Sequence, residues 1–374
     1  MFWQVLWPLS LGFVLSAVVE AVASKRAIVK ALGHDSVRSV ALASALGAAS
    51  SSCSYASVAV ARSLFRKGAT FANAVIFEFA STNLVIELGL ILFILLGWQF
   101  LVGELSGGVI MIVVLTLVFR FTLRPRLVEE ARAQAEKGLR GRMEGHGAMD
   151  MSVTEGPFLR RLVSARAFTA ISHYYFMNIA SIWTDLLIGF LVSGALAAWV
   201  PDSAWAKFFL TGHGPLSEIW GVLIGPAISV FSFVCSVGNV PLAAVLWRGG
   251  ISFGGAIAFI FADLIIIPIL NIYRKYYGWR MMVYLFVVSY IAMVVAGLVI
   301  DGGFATLHLV PTNRAVAVFQ DRPRWDYTTF LNIGFLVLTA VLGIRFLRTG
   351  GREMLRMMEE APTDDSAADH HAHA

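Results

Sequence analysis

Runs of about twenty apolar residues alternate along the chain with short polar stretches, and roughly 20 apolar residues is what a helix needs to cross the hydrocarbon core of a bilayer. The pattern marks segments at 5–24, 39–66, 69–97, 106–121, 168–199, 219–247, 251–272, 279–300 and 327–347. Two of them, 39–66 and 219–247, are interrupted midway by small and polar residues. The first break is Ser50-Ser51-Ser52-Cys53-Ser54; the second holds Ser229, Ser232, Cys235-Ser236 and Gly238-Asn239. Irregular backbone survives at membrane depth only where it faces protein or a water-filled cavity. Both breaks are therefore expected at a site. The pattern predicts an all-α polytopic membrane protein with seven full spans and two re-entrant, broken-helix hairpins.

Composition agrees. The hydrophobic set makes up 58% of the 374 residues and charged residues only 14%, with a mean hydropathy of +0.74, which excludes a water-soluble enzyme. The basic excess, 29 Lys and Arg against 24 Asp and Glu, reads as topology and not as nucleic-acid binding. With the two interrupted segments returning to the side they enter, 24 of the 29 basic residues fall on one side, ten of them between Arg120 and Arg166. The positive-inside rule then puts the N-terminus outside and the C-terminus in the cytoplasm. Met1 to Trp3 lacks a basic start, so 5–24 reads as a retained span and not a signal peptide.

The chain also repeats. Offset by 182 residues, Cys53–Asn83 lies on Cys235–Ile265 without a gap, and twelve of 31 positions are identical, where apolar composition alone would give roughly three. The topology above makes the copies inverted, the architecture of secondary transporters that rock around one central site. The expected division is a first membrane repeat (1–122), a cytoplasmic linker (123–166), a second inverted repeat (167–300), an external loop (301–326), a further span (327–348) and a cytoplasmic tail (349–374).

The candidate chemistry follows from these breaks. Cys53 and Cys235 occupy matched positions, and two thiols on one cavity suit a soft, thiophilic solute; Cys is also a small apolar residue that membrane helices accept. Ser52, Ser54, Ser236 and Asn239 offer hydroxyl and amide groups to a polar solute, or serve close helix packing. Among the intramembrane acids, Glu78, Glu87, Asp185 and Asp263, with Asn83, are expected to line the path and carry a coupling proton, since a carboxylate at that depth is costly. Glu20 reads as reaching the interface near Lys25 and Arg26. His146 with Met143, Met149 and Met151 on the inner loop forms a soft-ligand cluster for a metal, or an ordinary linker. His173, Tyr174 and Tyr175 read as interfacial anchors. No G-x-x-x-x-G-K-[ST], H-E-x-x-H or G-x-S-x-G appears, so neither ATP-driven pumping nor hydrolysis is expected, and no cofactor.

Cys53-Ser54-Tyr55-Ala56-Ser57-Val58-Ala59, leading to Ser63-Leu64-Phe65-Arg66-Lys67-Gly68-Ala69, resembles the signature of the predicted permeases related to the ArsP organoarsenical exporters and to YraQ. Cys235-Ser236-Val237-Gly238-Asn239-Val240-Pro241-Leu242, followed by Gly250, is similar to that family's second half. The resemblance implies an inner (plasma) membrane efflux permease for a small solute, with an organoarsenical or other thiophilic metalloid as the class. The other readings are an uncoupled pore and a scaffold or metal-delivery protein acting through the Met/His loop. The partners expected are the lipid bilayer and the solute, with no nucleic acid; a homo-oligomer is compatible.

Overall fold

In hydrocarbon every backbone N–H and C=O must be satisfied inside the protein, so apolar segments of this kind fold as helices. The computed structural model describes residues 32–34, 36–50, 54–66, 68–136, 164–199, 202–232, 236–314 and 327–360, with scattered positions between 3 and 21, and every regular element among them is helical. In chain order these are α1 (Val37–Ser50), α2 (Ser54–Arg66), α3 (Phe71–Asn83), α4 (Ile86–Leu96), α5 (Trp98–Thr122), α6 (Pro125–Ala135), α7 (Ala165–Trp199) and α8 (Asp202–Phe208). They continue as α9 (Pro215–Val230), α10 (Ser236–Gly249), α11 (Phe253–Phe261), a 3-10 turn (Ala262–Ile265), α12 (Ile267–Tyr277), α13 (Trp279–Thr306), α14 (Tyr327–Arg348) and α15 (Gly351–Glu360).

Among the described residues four stretches are long and apolar enough to span: Phe71–Leu96, Trp98–Thr122, Trp279–Thr306 and Thr329–Arg348. A fifth joins Phe253–Ile265 to Ile267–Tyr277 through a 41° bend, where Pro268 opens α12 and cannot continue the preceding turn. Two expected segments are longer than their apolar cores. Residues 106–121 belong to α5 and 279–300 to α13, which carries Glu104 and Asp301 into helices.

The interrupted segments part where their sequences break. α1 ends at Ser50 and α2 starts at Ser54; α9 ends at Val230 and α10 starts at Ser236. At 1.5 Å per residue these four helices are about 20–24 Å long, short of the roughly 30 Å core. α1 packs on α3 and α9 on α11. Glycines permit the contact: a Cβ on Gly47 would sit 2.4 Å from the Phe77 carbonyl oxygen, and one on Gly225 2.4 Å from that of Gly255. Close backbone approach through small residues is how helices associate in lipid.

Local structure recurs at the 182-residue offset. α2 and α10 both end in a Schellman motif, with Ala69 N–H on Leu64 O (3.0 Å) and Ile251 N–H on Leu246 O (3.2 Å). Gly68 (φ +111°) and Gly250 (φ +110°) supply the left-handed residue each motif needs. The following helices are capped alike, Thr70 accepting from Asn73 N–H and Ser252 from Gly255 N–H.

The start of the long polar loop after α5 is part of the bundle. α6 receives the buried Arg62 guanidinium on its Ala135 carbonyl (2.7 Å), and its Gln134 donates to Lys275 O (3.0 Å). At the other end of the chain α15 docks through His173, whose Nε2 lies 2.6 Å from Thr349 Oγ1 and whose Nδ1 lies 3.1 Å from Met354 Sδ. His173, Tyr174 and Tyr175 are buried, packing α7 against the C-terminal helices instead of facing an interface.

Candidate functional site

The first residues of α2 and α10 meet. Ser236 N–H points at Ser54 Oγ across 3.5 Å, and Ser54 donates its hydroxyl to Asp263 Oδ2 at 2.6 Å. Ser54 and Asp263 are fully buried and Ser236 nearly so. Ser54 and Ser236 are each other's counterparts at the 182-residue offset, so the N-termini of both helices converge beside one carboxyl.

A second carboxyl, Glu78 of α3, accepts from the Tyr273 hydroxyl of α12. Its backbone carbonyl accepts from Ser57 (3.0 Å) and Ser81 (2.8 Å), hydroxyls that also contact each other and join α2 to α3. Glu104 of α5 completes the set, fully buried with neither oxygen hydrogen-bonded. Glu78 Oε2 and Asp263 Oδ1 also lack partners. Asp263 lies within electrostatic range of both Glu78 and Glu104, and no cation is paired with any of the three among the described residues. Nor do any three His, Cys, Asp or Glu side chains among those residues stand close enough to hold a metal ion. Such carboxyls can take up and release protons one at a time, and a bare charge on any of them is costly unless water or solute reaches it.

The sequence profile of a family described as "Predicted permease", of the ArsP type, matches residues 1–302. The chain belongs to this predicted-permease family. A Mycobacterium tuberculosis protein named "Putative permease Rv2963" is similar to it, 57% identical over 350 residues, which is 93% of this chain and 86% of the relative. No solved structure matches. With its apolar helices, the permease is a multi-pass membrane protein, a transporter in kind.

Of the residues singled out in the sequence, the fold of the permease brings Ser54, Ser236 and Asp263 together, with Glu78 close by. Asn239 is engaged at both ends, donating to Ser229 Oγ (3.2 Å) and accepting from Ser232 Oγ (3.2 Å), so it bridges the end of α9 and the start of α10. Asn83 donates to Phe79 O and Thr82 Oγ1 and keeps its Oδ1 free and buried at the α3–α4 break. Glu87 is buried in the first turn of α4. Ser52, Cys53, Cys235, Glu20, His146, Met149 and Met151 lie outside the described residues, as does the side chain of Asp185 in α7. Sequence reasoning passed over Glu104, Tyr273 and Ser57. The signal for Glu104 was an acid between Gly103 and the apolar run from Gly107; nothing in the sequence pairs Tyr273 with Glu78.

Proposed function

We propose that the permease exports a small thiophilic solute, a trivalent organoarsenical or related metalloid, by proton-coupled alternating access between two inverted repeats. The observation that carries this reading is the Ser236–Ser54–Asp263 junction. Counterparts of two copies related by a two-fold axis touch only at the axis, so contact between Ser54 and Ser236 is what inverted repeats meeting at the membrane midplane would give. The four short helices, α1, α2, α9 and α10, suit hairpins that enter half-way and return. Cys53 and Cys235 immediately precede the two touching serines, and we assign them to the solute, with Ser52, Ser54 and Ser236 beside them.

Asp263 carries the coupling proton in this scheme. Solute arriving between the helix N-termini would open Asp263 to water and let its proton leave, and Glu78, held by the Tyr273 hydroxyl, would be the second carboxyl able to take it, toward the end of the molecule where Arg62 stacks over Tyr276 beside α6. In this reading, which the distribution of basic residues supports, that end and the C-terminus face the cytoplasm and the N-terminus faces outside.

The test is uptake of trivalent methylarsenite into everted membrane vesicles under an imposed proton gradient. The native chain is expected to accumulate it at least tenfold better than Cys235→Ser. No uptake by the native chain overturns the solute; flux indifferent to the gradient overturns the coupling and makes the molecule a pore.

A further inference from the structure

Two arginines outside the spanning helices make the same set of contacts in the two halves. Arg132, in α6, donates from Nη1 to Phe65 O (2.8 Å) and from Nη2 to Ala69 O (3.5 Å), with its guanidinium 4.1 Å from the centre of the Phe65 ring. Arg314, in the stretch after α13, donates from Nη1 to Trp247 O (2.8 Å) and Ile251 O (2.9 Å), with its guanidinium 4.2 Å from the Trp247 ring. Arg132 and Arg314, Phe65 and Trp247, Ala69 and Ile251 are each 182 residues apart. The correspondence reaches 49 residues past Asn83, where the run of identities ends. Three residues, two carbonyls and one stacking geometry recurring together at one offset are not a product of apolar composition.

Each clamp has a definite object. The carbonyls belong to the turn closing α2 onto α3, or α10 onto α11, and the stacked ring reaches into the opposite half. Phe65 packs edge-on against Tyr277 of α12 at 6.1 Å, and Trp247 against Phe100 of α5 at 5.2 Å. The guanidinium thus fixes both the turn and the ring that joins the halves. Neither arginine forms an ion pair among the described residues. Their partners are neutral carbonyls and a ring face, which water can replace when the turn moves.

We propose that Arg132 and Arg314 are repeat-related positioning residues for transport, latches that hold the two halves together at opposite faces of the membrane and release alternately. The proposal rests on the alternating-access reading above. Inversion of the repeats puts Arg132 at the cytoplasmic face and Arg314 at the outer face, so loss of one latch opens one face only. Lysine would not replace either residue, because an ammonium that bonds the carbonyls has no planar face to stack on the ring.

The experiment labels the native thiols with a membrane-impermeant maleimide in everted and right-side-out vesicles. Arg132→Gln is expected to raise labelling several-fold in everted vesicles and lower it in right-side-out ones; Arg314→Gln should do the reverse, and the Lys variants should behave like the Gln variants. Hydrogen exchange should accelerate in the 62–72 turn for the first variant and in the 244–254 turn for the second. If either Gln variant fails to fold, Phe65→Leu and Trp247→Leu, which keep the carbonyl bonds but remove the ring, should show the same opposite signs. Shifts of the same sign, or none, overturn the latches even if the native chain transports. Opposite shifts in a chain that carries no methylarsenite leave the latches standing and remove only the solute.

Discussion

Asp263→Asn is expected to abolish proton-driven accumulation of solute, by at least tenfold, while leaving the permease folded and solute exchange across the membrane intact. The geometry argues for that split. Ser54 donates to Asp263 Oδ2 at 2.6 Å, and an asparagine oxygen in the same place accepts that bond, so the junction between α2 and α10 persists. The group lost is the one that can carry a charge. The amide of the variant takes the place of Oδ1, which has no partner, so the stability cost stays within the roughly 1–3 kcal/mol of one unsatisfied buried polar group. Counterflow, which needs the central site but no net proton movement, should continue at close to the native rate, whereas gradient-driven uptake should fall to background. Glu104→Gln is expected to do less, because neither Glu104 oxygen touches the junction. Glu78→Gln should slow proton delivery through Tyr273 without ending accumulation. Gradient-driven accumulation that survives in Asp263→Asn would remove Asp263 from the coupling.

The parts of this arrangement that could be read from the sequence are those written in local composition. Helices begin and end close to where the apolar runs do, and the breaks at Ser50–Ser54 and around Cys235 are visible because a serine cluster has no place inside a lipid-facing helix. The offset of 182 residues was legible from the identities between Cys53 and Asn83 and their counterparts. It did not disclose that Ser54 would touch Ser236, since an offset says which residues correspond and not whether they meet. Arg132 and Arg314 were partly legible: beyond the aligned run, Leu127, Val128, Arg132, Ala133 and Ala135 recur as Leu309, Val310, Arg314, Ala315 and Ala317 at the same offset, but their bonds to backbone carbonyls carry no sequence signature. Asn239, expected to contact solute, has its amide committed to Ser229 and Ser232, a distribution of hydrogen bonds only the fold can show. Asp301 fell one residue beyond its apolar segment, yet it accepts from Gly254 N–H at 3.0 Å and so helps cap α11.

That cap lies where α11 crosses α13, and of the described glycines Gly254 has the least room for a Cβ, so Gly254→Ala is expected to be the most damaging glycine-to-alanine substitution among them. A Cβ on Gly254 would fall 2.2 Å from the Gly297 carbonyl oxygen and 2.7 Å from the Asp301 Cβ. The first obstacle is backbone, so no rotamer change relieves it; α11 must move away from α13. Separation also pulls Gly254 N–H from Asp301, leaving a carboxylate and an amide of the helix N-terminus unpaired in a buried place. Overpacking of this kind costs about 1–3 kcal/mol and loss of a charged hydrogen bond a further 1.5–3 kcal/mol or so. The control sits on the facing helix, α13: a Cβ on Gly302 meets nothing within 4 Å, and Gly302→Ala should be neutral or gain up to about 1 kcal/mol from helix propensity. Thermal unfolding of detergent-purified protein should therefore place Gly254→Ala well below the native chain and Gly302→Ala at or above it. Because α11 carries Phe253 under Trp247 and leads directly into the turn that holds Asp263, the same displacement should reach the junction, and transport by any Gly254→Ala protein that survives purification should fall with its stability. Native-like unfolding of Gly254→Ala would mean that α11 and α13 do not cross at Gly254 and Gly297, and the position of Asp263 derived from that crossing would go with it.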